Sequence, residues 1–206
     1  MDSDPEPDPT GVNIFIKLIL LAVLIFINAF FAASEIAVIT LNDNKVQKMA
    51  NEGHKKARQI IKLTANSSNF LATIQIGVTL AGFLASATAA QSLAGPLSDW
   101  ITGLSPALNQ YSSAINFISV VLITLMMSYF SLVLGELVPK RIAMQKSEAI
   151  SFAVVNVLRG VSTVTRPFVR LLSVSTNLVV RMFGLDPNAT QKNVTEEEIR
   201  MMVDVG

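Results

Sequence analysis

Residues 114–138 read AINFISVVLITLMMSYFSLVLGELV, and Pro139-Lys140-Arg141 follows directly. The stretch is almost wholly apolar and exceeds the about 20 residues that a helix needs to cross the hydrocarbon core of a bilayer. Lipid offers no hydrogen-bond partner to an exposed backbone, so a stretch of this kind must be helical. The sequence therefore predicts a membrane-spanning helix that ends in a basic cluster.

Two further stretches of the same kind lie upstream. The first runs from Asn13 to about Leu41 and the second from Asn69 to about Leu97. The chain of 206 residues is 51% hydrophobic and 15% charged, whereas roughly 25% of the residues of a soluble domain are charged. We therefore predict an all-α integral membrane protein, with a bundle of three transmembrane helices over residues 13–141.

The segment after the third span is less apolar. Residues 147–185 contain Pro167 and four arginines, which are Arg159, Arg166, Arg170 and Arg181. Because arginine is costly at the centre of a membrane helix, we predict amphipathic juxtamembrane helices over residues 142–190, forming a cytoplasmic belt at the membrane surface. The alternative is a fourth span that is broken at Pro167.

The distribution of basic residues predicts the orientation. Loop 42–68 and segment 140–170 each carry six Lys or Arg, whereas residues 1–16 and loop 99–113 carry none. Basic loops stay in the cytoplasm. We therefore predict a multi-pass protein of the plasma membrane, with a flexible acidic N-terminus (residues 1–12) outside and the C-terminus in the cytoplasm.

Composition also excludes several classes of function. The chain has no cysteine and a single histidine, His54, so thiolate sites and a zinc site of several histidines are excluded. A net charge of +1 gives no support to nucleic acid as a partner. No Ser/His/Asp set occurs inside the spans, so we do not expect an enzyme.

Polar residues inside the spans indicate where function lies, because they are expensive there. Glu35, Gln75 and Glu136 lie near the same, cytoplasmic end of their three spans, and Thr79 shares a helix face with Gln75. Asn28 lies on the same face as Glu35. With oxygen as the only donor atom, these residues predict a site for a hard cation, such as Mg²⁺, Na⁺ or Ca²⁺.

Pro139 adds a predicted backbone ligand. It has no N–H and so cannot bond the carbonyl of Gly135, four residues earlier. We therefore predict a structural helix break at Pro139, with the free carbonyl of Gly135 beside the carboxylate of Glu136.

Each of these residues also has a purely structural interpretation. Glu136 can be protonated or paired with Lys140, and Glu35 can pair with a lysine of loop 42–68. Gln75 can join helices by a hydrogen bond, and the serines of the third span, Ser128 and Ser131, can bond their own backbone.

Small residues recur every four positions in the second span, in one row of Gly77, Ala81, Ala85 and Ala89 and another of Gly82, Ser86 and Ala90. Such rows let helices approach closely. They predict that the second span lies at the centre of the bundle, and they favour a homodimer.

Four motifs resemble the CorB/CorC and cyclin M (CNNM) family of magnesium transport proteins, whose membrane part is the DUF21-type domain. They are Asn28-Ala-Phe-Phe-Ala-Ala-Ser-Glu35, Gln75-Ile-Gly-Val-Thr-Leu-Ala-Gly82, Gly135-Glu-Leu-Val-Pro-Lys140 and Val194-Thr-Glu-Glu-Glu-Ile199. The resemblance implies three membrane helices, a juxtamembrane belt and a homodimer. It also implies that residues 191–206 are a linker towards a pair of CBS modules that sense Mg-ATP, so we expect a longer protein.

The same resemblance implies a magnesium site made of a serine of the first span, an asparagine of the second, and Gly135 with Glu136. Ser34 is the nearest serine, whereas the family's asparagines are absent from the second span, where Thr79 or Gln75 would substitute. The expected function is a secondary transporter that exports Mg²⁺ in exchange for Na⁺. The alternative is a membrane-anchored magnesium sensor that regulates another transporter.

Overall fold

The computed structural model describes residues 9–65 and 67–185, and these residues form helices without any strand. The helices are α1 (Pro9–Ile39), α2 (Asp43–Asn51), α3 (Lys55–Thr64), α4 (Ser67–Gly103), a 3₁₀ helix (Pro106–Tyr111), α5 (Ser112–Leu132), a π-helix (Val133–Leu137), α6 (Val138–Gln145) and α7 (Ser147–Met182). The predicted all-α class is therefore confirmed. The predicted linker 191–206 lies outside the described residues.

Three of these helical stretches are long and apolar enough to cross a membrane, as predicted. They are Ile14–Ile39, Ser68–Gly103 and Pro106–Gln145. Their ends differ from the prediction, since α1 begins at Pro9 and α4 continues through Pro96 to Gly103. A proline inside a membrane helix is tolerated when neighbouring groups satisfy the backbone that it frees.

The bundle core lies between α1, α4 and α5. Leu21 of α1, Ala89 of α4 and Ile123 with Met127 of α5 form one buried cluster. Ala81 and Ala85, which belong to the same row of small residues on α4 as Ala89, are also buried. The first row of small residues therefore packs inside the bundle, whereas a side chain added at Gly82 of the second row would meet no atom within 4 Å.

A second core joins the bundle to the helices that follow it. Phe31 of α1 and Ile74 of α4 pack with Val154 and Leu158 in the first half of α7. Val155, on the same helix, packs on the α2–α3 hairpin, where Ala57 is fully buried. The first half of α7 is thus part of the compact unit that ends at Val164.

The remainder of α7, from Thr165 to Met182, belongs to a second compact unit. Pro167 lies inside the helix without ending it. Among the described helices, α7 is not one of the three that are apolar enough to span a membrane. The alternative of a fourth span broken at Pro167 therefore finds no support here.

Single cysteines introduced along residues 147–185 will test the placement of α7 at the membrane surface. The native chain has no cysteine, so each introduced thiol is unique. We expect reactivity with a water-soluble maleimide to rise and fall with a period of 3.6 residues, as on a helix with one face exposed to water. A continuous unreactive run of about 20 residues would instead show that α7 crosses the bilayer.

The pair Gly77→Ala and Gly82→Ala will test the packing of α4. A Cβ at position 77 would lie 2.6 Å from the Phe31 ring, whereas one at position 82 meets nothing. We expect Gly77→Ala to lower the free energy of unfolding by about 1–3 kcal/mol. Gly82→Ala should be neutral or slightly stabilising, since alanine favours helix. Thermal unfolding in detergent measures both, and equal stability of the two variants would contradict this packing.

Candidate functional site

The third span passes Pro139 without breaking, so the predicted helix break is wrong. The five residues before α6, Val133–Leu137, form a π-helix, and the N–H of Val138 donates to the carbonyl of Val133. A π turn holds one more residue than an α turn. The wider turn lets the helix continue through Pro139, which has no N–H to donate, as far as Gln145.

The π-helix places Gly135 against α1. Gly135 is buried, and a Cβ on it would lie 2.7 Å from Nδ2 of Asn28. Only glycine permits this approach, because any side chain would displace the amide of Asn28. The close contact explains why a glycine stands beside Glu136 at this position.

Two carboxylates from different helices converge on one ammonium group. Nζ of Lys140 lies 2.8 Å from Oε1 of Glu136 and 3.2 Å from Oε2 of Glu35. The three side chains are 25%, 32% and 23% exposed, respectively. The structural interpretation of Glu136 as a partner of Lys140 is therefore realised.

Glu35 also has a structural partner, but it is not the predicted one. Its carboxylate pairs with Lys140 rather than with a lysine of loop 42–68. Lys45 of that loop forms an ion pair with Glu148 at the start of α7. Sequence analysis missed the role of Lys140 towards Glu35, because the two residues meet only through helix packing.

The cluster of Glu35, Glu136 and Lys140 carries two negative charges and one positive charge. The ammonium group lies within ion-pair distance of both carboxylates, so the cluster keeps an excess of one negative charge.

A cavity of about 380 Å³ extends from Glu136 between the three spans. Its polar lining comes from all three: Asn28 of α1, Thr79 and Ser86 of α4, and Ser128, Ser131 and Glu136 of the third span. Phe83 and Leu132 contribute apolar lining. The cavity is open to the outside of the bundle and its surface is more apolar than polar, and the carboxylate of Glu136 links it to the ion-pair cluster.

Asn28 is the most buried amide of this cavity, with 4% of its surface exposed. Its Nδ2 lies 3.5 Å from Oγ of Ser131 and donates a long hydrogen bond to it. Its Oδ1 has no hydrogen-bond partner among the described residues. The position of Asn28, two helical turns before Glu35 on one face, was the only signal for it in the sequence.

The other predicted ligands are placed differently. Ser34 is fully buried, and its hydroxyl donates to the carbonyl of Phe30 at 2.6 Å. Gln75 is exposed, and its Nε2 donates to Oγ1 of Thr79 at 3.3 Å. Thr79 lines the cavity. The structure thus brings Glu35 and Glu136 together at Lys140 and Gly135 against Asn28, whereas Ser34 bonds its own helix.

Candidate metal clusters of another kind are not found. No group of three or more His, Cys, Asp or Glu side chains suited to a metal occurs within residues 9–65 and 67–185. A cation in this site would therefore rely on two carboxylates together with neutral oxygens and water.

Three apolar helices around a polar, ion-paired interior define a multi-pass integral membrane protein. The chain belongs to the family of the cyclin M transmembrane N-terminal domain, which it matches over residues 19–206. This finding confirms the family resemblance that the four motifs indicated.

Among its relatives, the chain is 36% identical to the UPF0053 protein sll0260 of Synechocystis over 94% of its own length and 42% of the relative. It is 32% identical to the UPF0053 protein YhdP of Bacillus subtilis, over 91% of this chain and 42% of that protein. It is 28% identical to the polyamine export protein of Salmonella typhimurium, over 92% and 41%. The chain spans about two fifths of the length of each of these relatives.

The substitution Lys140→Met will test the ion-pair cluster. It removes the ammonium group and leaves two carboxylates facing each other, so we expect a loss of about 1–3 kcal/mol in unfolding free energy in metal-free detergent buffer. Added Mg²⁺ should restore much of that stability, by replacing the lost positive charge.

Lys146→Met is the matched control, because Lys146 lies in the same segment and is exposed. It should leave both the metal-free stability and the response to Mg²⁺ unchanged. A Lys140→Met variant that is as stable as the parent and indifferent to Mg²⁺ would show that the two carboxylates do not share a cation position.

Proposed function

We propose that this domain is a secondary transporter that exports Mg²⁺ from the cytoplasm, coupled to Na⁺. The observation that supports the proposal best is the convergence of Glu35 and Glu136 on the ammonium group of Lys140, next to a cavity that all three spans line. Membership of the cyclin M family supports a role in transport. Ionisable residues inside a membrane domain are functional by default, because they are costly there.

Lys140 has a direct part in the proposed cycle. Its ammonium group pairs with both carboxylates and compensates one of their two negative charges. An arriving Mg²⁺ displaces it, since a divalent ion interacts more strongly with two carboxylates than one ammonium group does. After the ion leaves, the long side chain of Lys140 returns, so the carboxylates never face the membrane interior without a cation.

Mg²⁺ prefers six oxygen ligands and releases its water reluctantly. Glu35 and Glu136 supply two of these ligands, and the carbonyl of Gly135, the backbone ligand that the sequence predicts, supplies a third. The remaining positions are then filled by water, for which the adjoining cavity has room. The ion is transported, in this proposal, as a partly hydrated species.

The surroundings of the site are part of the same proposal. The N-terminus lies outside and the C-terminus in the cytoplasm of a plasma-membrane protein, as the basic loops indicate. Two copies form a homodimer, as the resemblance to the cyclin M family implies. In a longer chain, CBS modules after residue 206 regulate transport by sensing Mg-ATP.

A second candidate cargo is an organic polyamine. Two carboxylates here already hold a primary ammonium group, that of Lys140, at hydrogen-bond distance, and a relative carries the name polyamine export protein. A polyamine presents the same ammonium chemistry. An ammonium group of the polyamine would take the place of the ammonium group of Lys140, whereas Mg²⁺ would displace it through higher charge.

Flux in liposomes will test the proposal. We expect Glu136→Gln to lower Mg²⁺ flux on the order of tenfold or more, because the interaction of a charged ligand is worth more than 1.4 kcal/mol. Glu35→Gln should lower it less, because Glu35 does not line the cavity as Glu136 does. Glu148→Gln is the control, since its partner Lys45 lies outside the site.

The same liposomes distinguish the candidates. Mg²⁺ flux that depends on an opposing Na⁺ gradient supports coupled export, whereas uptake of radiolabelled spermidine that Mg²⁺ does not inhibit supports the polyamine. Unchanged Mg²⁺ flux in Glu136→Gln would refute the proposed site. A parent protein that moves neither cargo would favour the regulatory alternative.

A further inference from the structure

We propose a second cation site, without net charge, inside the cavity between the three spans. Its ligands are the amide oxygen of Asn28 and the hydroxyl of Ser131, and its ion is a hard monovalent cation, for which Na⁺ is the probe. The proposal rests on the proposed function for the ion's role in coupling, but the binding itself can be tested without any transport.

An unsatisfied oxygen is the first argument. Asn28 is almost fully buried, and its Oδ1 has no hydrogen-bond partner among the described residues. A buried polar atom in this condition costs about 1–3 kcal/mol. Native proteins retain such an atom where something else satisfies it, and an amide oxygen is a good ligand for a hard cation.

The geometry of Asn28 and Ser131 is the second argument. Their Nδ2 and Oγ atoms are 3.5 Å apart, at the long limit for a hydrogen bond. The hydroxyl oxygen of Ser131 therefore lies beside the amide of Asn28 and is held only weakly by it. A cation bound by this hydroxyl and by the unpartnered Oδ1 would replace the weak hydrogen bond.

The cavity has space for the rest of the coordination shell. Its volume of about 380 Å³ compares with roughly 30 Å³ for one water molecule in the liquid. Three more hydroxyl groups line it, those of Thr79, Ser86 and Ser128. A cation held by Asn28 and Ser131 can therefore complete its shell with hydroxyl groups and with water.

Charge selects the ion. The proposed ligands are neutral, and the nearest carboxylate, that of Glu136, is already paired with Lys140. The cost of moving an ion from water into a medium of low dielectric constant rises with the square of its charge, so a divalent ion costs about four times as much as a monovalent one. Neutral oxygens in a membrane domain thus favour a monovalent cation.

The position of this site distinguishes it from the carboxylate pair. Asn28 precedes Glu35 by seven residues on α1, which separates their backbones by about 10 Å along the helix axis. Glu136 lies at the boundary, since it lines the cavity and also bonds Lys140. A cation in the neutral site therefore influences the carboxylate pair through Glu136 without sharing its ligands.

Na⁺-dependent stability of the purified chain will test the site. The melting temperature is measured in detergent against NaCl concentration, with choline chloride keeping the ionic strength constant. Binding to the folded state stabilises it by RT ln(1 + c/Kd), where c is the Na⁺ concentration, so the melting temperature rises with the logarithm of that concentration once it exceeds Kd. For the parent we expect such a rise. For Ser131→Ala and Asn28→Leu we expect the rise to begin at a Na⁺ concentration on the order of tenfold higher.

Ser119→Ala is the matched control. Ser119 lies on the same helix as Ser131, is fully buried and has a hydroxyl without a partner among the described residues. It does not line the cavity, so its variant should keep the parental response to Na⁺. If Asn28→Leu fails to fold, Ser131→Ala decides, because it removes one oxygen and little volume.

Two results would overturn the proposal. One is a parent protein with no rise in melting temperature specific to Na⁺. The other is a full Na⁺ response in Ser131→Ala, which would mean that the Asn28 oxygen is satisfied in another way, for instance by water alone.

The response to Mg²⁺, measured on the same variants, separates this proposal from the function proposed above. Loss of the Na⁺ response with an intact Mg²⁺ response in Ser131→Ala supports two distinct sites. A Na⁺ response that depends on Ser131, in a protein that neither binds nor transports Mg²⁺, supports the neutral site and rejects Mg²⁺ as the cargo.

Discussion

The missing N–H of Pro139 governs the geometry of this protein. The third span must pass this residue inside the membrane, where an unsatisfied backbone group costs several kcal/mol. It does so by widening into a π-helix over Val133–Leu137. That turn is the element that brings Gly135 against Asn28 and places Glu136 beside Lys140. A π turn is often a functional feature, and here Asn28 lies against its glycine while Glu35 shares Lys140 with its glutamate.

The ion-pair cluster joins two spans through charge. Glu35 and Glu136 come from helices that are distant in the chain, and one flexible side chain, that of Lys140, pairs with both. All three side chains are partly exposed, so these pairs contribute only modestly to stability. Two carboxylates share a single ammonium group, so the three residues together keep an excess of one negative charge.

Small residues let α4 pack closely against its neighbours on one face while its next face lines the cavity. Ala81, Ala85 and Ala89 let α4 approach its neighbours, and Gly77 accommodates the ring of Phe31. The next face of α4 carries Thr79, Gly82 and Ser86 along the cavity. One helix thus combines a tightly packed face and a polar face, separated by a rotation of about one residue, or 100°.

The sequence by itself determined the class of the protein, because hydrophobic length and the absence of charge predict a membrane span without knowledge of its neighbours. It also identified Glu35 and Glu136, since polar residues are rare and costly in such helices, and Gly135, since it lies four residues before Pro139. Only the tertiary structure decided which of them meet. Lys140 reaches Glu35, Asn28 reaches Ser131, and Ser34 bonds its own helix, because side-chain contacts between helices depend on rotation and register, which a hydropathy pattern does not specify. The π turn changes that rotation for every residue after Leu132, so a count of 3.6 residues per turn could not predict it.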